Sequence, residues 1–433
     1  MAGNFKNRKF FLAYSDVFKR QSAWDVAVAN SDINKRHPQL TPTVPGSQFT
    51  REKTPDCSGE YFIAEDLTSR LKRVRFGFNP NAQMLAGWLA LAMGSAAAPT
   101  GTPADETQTL TITAGDPYSL SFTHEGLTGT TALIPIDAAA SVIAAELNAL
   151  RSIKQGAQKA ANVAVSGDAG GPYTIAFQNK LAKTNVALLV SSEATAVVTT
   201  GTAGANKLHA ISRSTADQPP QTSLIYGFDG DSDHPLKVNN AVVNEITVSG
   251  QAKGRVLVEL DLVATWPFDA GVYSMPDCIN FSPITTKDVR LAINDVFYVD
   301  DLRNFSYTYS NNIITDDDPF PWDDIDAIRL EKGDRTSSFS FTLFGSHGDG
   351  LYTLAESEPE EDIELHIGPG GDRVSIFAPS AKLRLQDQDT TFIGSANRSA
   401  INIDAEPFLN EDLVGTPDYA EANIDQTVAY LGT

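Results

Sequence analysis

The sequence predicts a mainly β protein of the α+β class, with two β-sandwich or barrel domains that each carry one helix and a small inserted α+β domain. A duplication is the first observation behind this prediction. Residues 224–268 and 365–408 share one order of strands, a Gly/Asp turn and a Pro-Phe ending. Their offset of about 140 residues is too long for a solenoid and fits a repeated domain. The second observation is a change of composition, because residues 104–204 are rich in Ala, Thr and Gly.

The first copy begins with a strand and a long connection. Residues 7–19 are strand-like, and residues 20–58 are expected to form a polar loop because they contain four prolines. Alternating apolar residues predict strands over 59–78. Asn81 and Gly94 then bracket a helix, since Asn is a common N-cap and Gly a common helix stop.

The second copy repeats this order, with an acidic loop at 316–326. The strand at 361–367 directly follows the helix of the second copy. In the first copy, roughly 120 extra residues separate the helix from the matching strand, which begins near Ser223. The predicted elements of the second copy are strands over 288–299, 305–309, 335–345 and 361–367 and a helix over 348–359.

The extra residues divide the chain into four parts. We predict a discontinuous first domain (1–103 and 205–270), an inserted domain (104–204), a second domain (271–408) and a C-terminal arm (409–433) that is too polar for a core. In the inserted domain, Asp137 is expected to cap a helix that turns Val142, Ile143, Leu147 and Leu150 to one face. The strands predicted there cover 109–113, 118–125, 131–136, 163–167, 173–179, 187–191 and 195–200.

Composition limits the function classes. The net charge is −21, and so acidic a surface repels nucleic acid. Two distant cysteines exclude a disulfide framework. The longest apolar run, 84–98, is too short to span a bilayer, and the first residues lack a secretory signal pattern, so no membrane partner is expected.

The sequence contains none of the common catalytic or cofactor-binding motifs. The motifs of P-loops, nucleophile elbows, zinc proteases and redox cysteine pairs are missing from the sequence. Asp229, Asp231 and Asp233 begin a calcium-loop pattern, but His234 and Asn240 stand where that loop needs Gly and Glu. We therefore expect no enzyme activity, no cofactor and no metal site.

Two segments carry a family resemblance. The pattern VNEITVSGQAKGRVLVELDLV (243–263), followed by NDVFYVDDLRNFSYTYSNNI (294–313), resembles the tail tube proteins of long-tailed bacteriophages. The inserted domain is similar to a small domain that recurs in phage virion proteins, through YSLSF, IPIDAAASVIAAELNAL, VAVSG and GGPYTIAFQNKLAKTNVALL. The resemblance implies two tail-tube-like domains in a structural virion protein of the phage tail, made in the bacterial cytoplasm. It also implies rings that stack into a hollow tube for DNA ejection.

The resemblance also implies partners. Two tube domains per chain allow three chains to form a ring of six similar units. The tape measure protein is expected inside an acidic lumen, tail terminator and baseplate or tail tip proteins at the ends, and DNA only in transit. Two alternatives stay open: another virion β protein, such as a tail terminator or decoration protein, and a carbohydrate-binding adhesin module.

Charge distribution predicts how rings stack. Residues 1–103 carry 13 basic and 8 acidic side chains, a balance of +5, whereas residues 205–433 carry 15 and 38, a balance of −23. Complementary charge suits a head-to-tail contact, so the basic loop 20–58 is expected to reach the acidic loop 316–326 or the tail 409–433 of the next ring. The candidate contact residues are Lys19, Arg20, Lys35, Arg36, Arg51, Lys53, Asp316, Asp317, Asp318, Asp323 and Asp324.

Overall fold

The mainly β prediction is confirmed, and the two halves of the chain contribute strands to one large sheet. The structure is a computed structural model, and its elements are numbered in chain order. It describes residues 10–15, 19, 29, 31, 33, 35–38, 46–55, 62–154, 161–216, 218–228, 236–264, 269–270, 282–298, 301–313, 330, 332–345, 360–385, 399–407, 419–423 and 430–431.

The first half contains one helix and strands on both sides of the insert. Its helix is α1 (Ala82–Met93). Its strands are β1 (Phe10–Tyr14), β2 (Lys35–Pro38), β3 (Gly46–Pro55), β4 (Phe62–Phe78), β5 (Gly94–Ala96), β13 (Leu208–Arg213), β14 (Thr222–Phe228), β15 (Leu236–Gln251), β16 (Leu257–Ala264) and β17 (Asp269–Ala270).

The second half contains β18 to β25. These strands are β18 (Val289–Ile293), β19 (Val296–Phe297), β20 (Leu302–Ser310), β21 (Thr336–Gly345), β22 (Glu360–Ile367), β23 (Arg373–Leu385), β24 (Ser399–Pro407) and β25 (Tyr419–Asn423). The helix predicted at 348–359 lies outside the described residues.

The two halves have the same strand order. Neighbouring strands in the first half follow β3–β4–β16–β15–β14–β1–β2, with β17 beside the start of β15. Neighbouring strands in the second half follow β20–β21–β24–β23–β22–β18–β19, with β25 beside the start of β23. Leu224 opposite Val238 and Leu365 opposite Ile376 hold equivalent positions in these two orders.

Among the described strands, two pairings join the halves. The second part of β15 pairs with β20, from Glu245 opposite Ser310 to Gln251 opposite Asn304. On the other layer, β13 pairs with β25. The described strands of both halves therefore belong to one sheet, which curls into a half-barrel.

Helix α1 forms where the sequence predicts it. The Asn81 side chain accepts a hydrogen bond from the Met84 backbone N–H at 2.9 Å, and Gly94 ends the helix with a left-handed φ of 93°. Nearly every residue of α1 is buried, as expected for a helix that is apolar on all sides. Trp88 is fully buried, and its ring lies 5.5 Å from that of Phe76 and 5.8 Å from that of Tyr14. The helix thus fills the space between the layers of the sheet.

The insert has a separate hydrophobic core. Paired bridges between Ala104 and Ala205 and between Thr100 and Leu208 mark where it leaves and rejoins the first half. Its core residues all lie between Leu110 and Ala196. Its elements are β6 (Thr107–Ile112), β7 (Leu120–His124), β8 (Leu127–Thr130), α2 (Ala140–Ala149), α3 (Arg151–Lys154), β9 (Val163–Ser166), β10 (Tyr173–Phe177), β11 (Val190–Ser191) and β12 (Ala196–Thr202).

Two predictions for the insert are wrong. The strand predicted at 131–136 is only a single bridge at Ile134, since β8 lies earlier in the chain. The N-cap of α2 is Ala139, without a side-chain bond, instead of Asp137. Val142 is 44% exposed, so the buried stripe of this helix consists of Ile143, Leu147 and Leu150.

Two further predictions are wrong outside the insert. Residues 20–58 contain strands β2 and β3, because prolines at strand ends, such as Pro38 and Pro55, do not prevent pairing. The C-terminal arm was expected to be too polar for a core. Instead β25 joins the sheet, and Tyr430 is buried, with its hydroxyl donating to the Gln83 carbonyl at 3.2 Å.

Candidate functional site

The most extensive candidate surface is a polar face that crosses both halves. Strand alternation turns one set of side chains into the core, such as Phe76 and Leu260, and leaves their neighbours on the opposite face. We call the second set the polar face, on strands β4, β16, β15, β20, β21, β24 and β23. Its described residues include Arg73, Arg75, Glu245, Thr247, Ser249, Glu259, Asp261, Ser306, Thr308, Ser338, Ser340, Thr342, Lys382, Arg384, Asn402, Asp404 and Glu406.

Asp261 gathers the ionic contacts of the first half of this face. Arg73 Nε donates to both carboxylate oxygens at 2.8 Å, Arg75 Nε lies 3.3 Å from Oδ1, and Asn244 Nδ2 donates at 3.0 Å. Burial raises the pKa of Asp261, but the hydrogen bonds and the arginine charges outweigh burial and hold the pKa below its ordinary value. The carboxylate therefore stays ionised and neutralises part of the arginine charge.

The second half has an equivalent but more open arrangement. Asp404 on β24 lies opposite Arg384 and Ser340, and Arg384 Nη1 lies 3.4 Å from Glu406 Oε2. Both members of this ion pair are more than half exposed, so it contributes little to stability. Grooves of about 480 and 510 Å³ lie over these two clusters.

A neutral band of hydroxyl groups separates the two charged clusters. Thr247 and Thr308 are hydrogen-bonded at 3.1 Å, and the Thr342 hydroxyl donates to Asn402 at 2.9 Å. Over the described polar face, four basic and five acidic side chains give a net charge of −1. This part of the surface is therefore nearly balanced and not strongly acidic.

The structure describes the position of five of the predicted contact residues, and the contact between rings stays a prediction. Lys19 accepts a hydrogen bond on its backbone carbonyl from Thr222. Lys35 and Arg36 lie in β2, whereas Arg51 and Lys53 lie in β3, which does not pair with β2 in the described sheet. The remaining candidates lie outside the described residues: Arg20, Asp316, Asp317, Asp318, Asp323 and Asp324.

Strand directions show where the two charged hairpins leave the sheet. Successive antiparallel pairings from β3 to β20 make these two strands run in the same direction. The C-terminal ends of β3 and β20 therefore lie at the same edge of the sheet. The turn between β15 and β16, with exposed Lys253 and Arg255, lies at the opposite edge.

The described residues contain one group of carboxylates with ligand-like spacing. Oxygens of Asp295, Asp362 and Glu364 lie within 4.8 Å of one another. Burial and the charges of Asp295 and Glu364 raise the pKa of Asp362, while the Glu364 carboxylate contacts His366 Nε2 at 3.0 Å. Proximity alone does not define a metal site, and Asp229, Asp231 and Asp233 lie outside the described residues. None of the described helices has the length and apolar character of a membrane span.

The described chain is a mainly β protein with an open strand edge at β3 and a polar face over both halves. The model of the phage tail tube protein family matches residues 143–428, well over half of the chain. The chain therefore belongs to the phage tail tube protein family and is a structural component of the virion tail. Proteins of this family assemble with themselves and with other tail proteins. A comparison with curated proteins gives no match.

Proposed function

We propose that three copies of this chain close a ring with pseudo-sixfold symmetry, and that rings stack into the conduit through which phage DNA leaves the capsid. The observation that carries this proposal is the junction of β15 with β20, which joins two halves of identical strand order. The same junction, repeated between the second half of one copy and the first half of the next, continues the sheet around a ring. The two halves are accordingly a duplicated tube domain, and residues 104–204 are an inserted domain.

Open strand edges support this ring closure. β3 holds the place in the first half that β20 holds in the second, and among the described strands it pairs with β4 alone. An open edge invites pairing with another chain. We assign its partner to the neighbouring copy, at the end of β23, because β23 holds the place of β15.

The polar face lines the lumen in this arrangement. Its hydroxyl band and its paired arginines give DNA few fixed charges to bind, so the polyanion passes without being held. The described residues of this face are nearly balanced in charge, and the strongly acidic lumen expected from the net charge stays a prediction. The same lumen holds the tape measure protein before ejection, and tail terminator and baseplate or tail tip proteins cover the tube ends. No step of this function requires catalysis or a cofactor.

Ring stacking follows from the strand directions. Both charged hairpins leave the same edge, so in a head-to-tail stack each meets the opposite edge of the next ring. The acidic connection with Asp316, Asp317, Asp318, Asp323 and Asp324 then faces the Lys253 and Arg255 turn.

Native mass spectrometry and negative-stain imaging of the purified protein test the proposal together. We expect rings of three chains whose averaged images show six similar lobes, and tubes built from such rings. Rings of six chains, or protein that stays monomeric at all concentrations, would contradict it.

A further inference from the structure

The insert interrupts the sequence of the first half, but its side chains form ion pairs with residues of the second half. The bridges at Ala104–Ala205 and Thr100–Leu208 connect it to the strands that flank it. Its β7–β8 turn and its 179–184 segment instead contact β18 and the β22–β23 turn. The insert therefore spans the two halves, and these contacts form a defined interface.

Glu125 is the central residue of this interface. It occupies the two-residue turn between β7 and β8 with a left-handed φ of 48°, in a turn type that favours Asn, Asp or Gly. Its carboxylate is buried and forms an ion pair with Arg290 at 3.1 Å and another with Arg373. The turn itself does not favour Glu at this position. The buried contact of the Glu125 side chain with the two arginines therefore explains why a glutamate is found there in spite of the backbone strain.

The electrostatics around Glu125 favour this pairing at neutral pH. Burial, followed by the charges of Arg373 and Arg290, lowers the pKa of the adjacent His124 to about 4. The imidazole is thus neutral and does not add a third cation to the cluster. The guanidinium of Arg290 also donates to the Lys287 and Val289 carbonyls at 2.7 and 2.9 Å, which fixes its position.

Glycines permit the close approach of the two surfaces. A Cβ on Gly371 would lie 1.9 Å from the Ala182 carbonyl oxygen, and a Cβ on Gly126 would lie 2.8 Å from the Phe297 side chain. Asn206 Nδ2 donates to the Gly371 carbonyl at 2.6 Å, and Lys180 forms an ion pair with Asp288. Several independent contacts therefore hold the β22–β23 turn and the start of β18 against the insert.

We propose that residues 104–204 are an intramolecular clamp that locks the second half to the first, with Glu125 as its anchor. The clamp is attached to the first half by the chain itself and to the second by the ionic and glycine contacts. It closes on the side where β13 already pairs with β25. This role concerns the single subunit and goes beyond ring formation.

Hydrogen exchange of the full-length chain tests the clamp through two variants. Glu125→Gln removes the charge of the anchor. Gly371→Ala adds one methyl group that collides only with the insert, at a residue whose φ is not left-handed. In both variants we expect amides of 288–293 and 368–374 to exchange about tenfold faster or more. Amides of the insert core at 173–177 should keep the wild-type rate.

Glu193→Gln supplies the matched control, because it removes an equal charge from the insert away from this interface. It should exchange like the wild type. Wild-type exchange at 288–293 and 368–374 in either Glu125→Gln or Gly371→Ala would overturn the clamp. So would an equal increase in the Glu193→Gln control.

Discussion

At the residue scale, Asp261 links stability to pH. Its pKa is held below the ordinary value of 3.8 in the folded protein, so its stabilising contribution is complete above that value and is lost as the pH falls through the folded pKa. Asp261→Asn should lower the free energy of unfolding at pH 7 by about 1–2 kcal/mol. This is less than for a fully buried pair, because the Arg73 side chain is one-third exposed. Urea unfolding between pH 2 and 7 should show a shallower acid-side slope for the variant than for the wild type.

A variant of Asp261 also tests the proposed charge balance of the lumen. Without the Asp261 carboxylate, Arg73 and Arg75 lose the acidic group that they contact directly. Purified Asp261→Asn tubes should therefore retain labelled double-stranded DNA at salt concentrations that release it from wild-type tubes. Glu259→Gln is a matched control, since it removes an equal charge from the same strand at a residue that takes part in none of the ion pairs of the described residues. Arg73→Gln combined with Asp261→Asn should return retention toward the wild type. Equal DNA retention by Asp261→Asn and Glu259→Gln would contradict the proposal that paired charges on the polar face let DNA pass through the lumen.

At the element scale, Asn311 connects α1, β15 and the end of β20. Its buried amide donates to the Ala92 and Val243 carbonyls, both at 2.8 Å, and so satisfies a helix-end carbonyl that lacks a partner within the helix. Asn311→Ala should lower the free energy of unfolding by about 1–3 kcal/mol, because two buried carbonyls lose their donor. The exposed Asn304→Ala should change it by less than about 0.5 kcal/mol. Chemical denaturation of both variants measures the difference, and equal values would contradict the assigned role.

Elements with local signals were predictable, whereas contacts between distant segments were not. Asn81 and Gly94 mark the ends of α1 in the sequence itself. The alternation of β25, where Ala420 and Ala422 are buried, was missed because small residues among acidic ones resemble a polar tail. The ion pairs of Glu125 join residues 165 and 248 positions apart for Arg290 and Arg373, and no periodicity within one segment indicates such a pair. The polar face likewise depends on strand register, which the sequence pattern leaves undetermined across the β15–β20 junction.

At the scale of the whole molecule, the two halves differ in charge more than in fold. Equivalent hairpins carry mixed charges over 51–66 in the first half, where Arg51 and Lys53 stand among five acidic residues, and a run of aspartates in the second half. Strand directions place both hairpins at one edge. A stack in which first halves lie over second halves then brings the run of aspartates to the basic turn at Lys253 and Arg255, where opposite charges favour the contact.

Charge removal at the basic turn tests this alternation. Replacing Lys253 and Arg255 by Ser should leave rings intact but shorten tubes, because the acidic hairpins of the next ring lose their counter-charge. Each exposed pair contributes only about 0–1 kcal/mol, so the effect depends on the repeated contacts around the ring. High salt should shorten wild-type tubes more than variant tubes, since screening acts on charges that the variant lacks. Arg151→Ser combined with Lys154→Ser removes the same charge from exposed positions of α3, away from this turn, and should leave tube length unchanged. Negative-stain imaging at low and high salt measures the tube lengths. An identical salt response in the wild type and the Lys253/Arg255 variant would mean that apolar contacts hold the rings together.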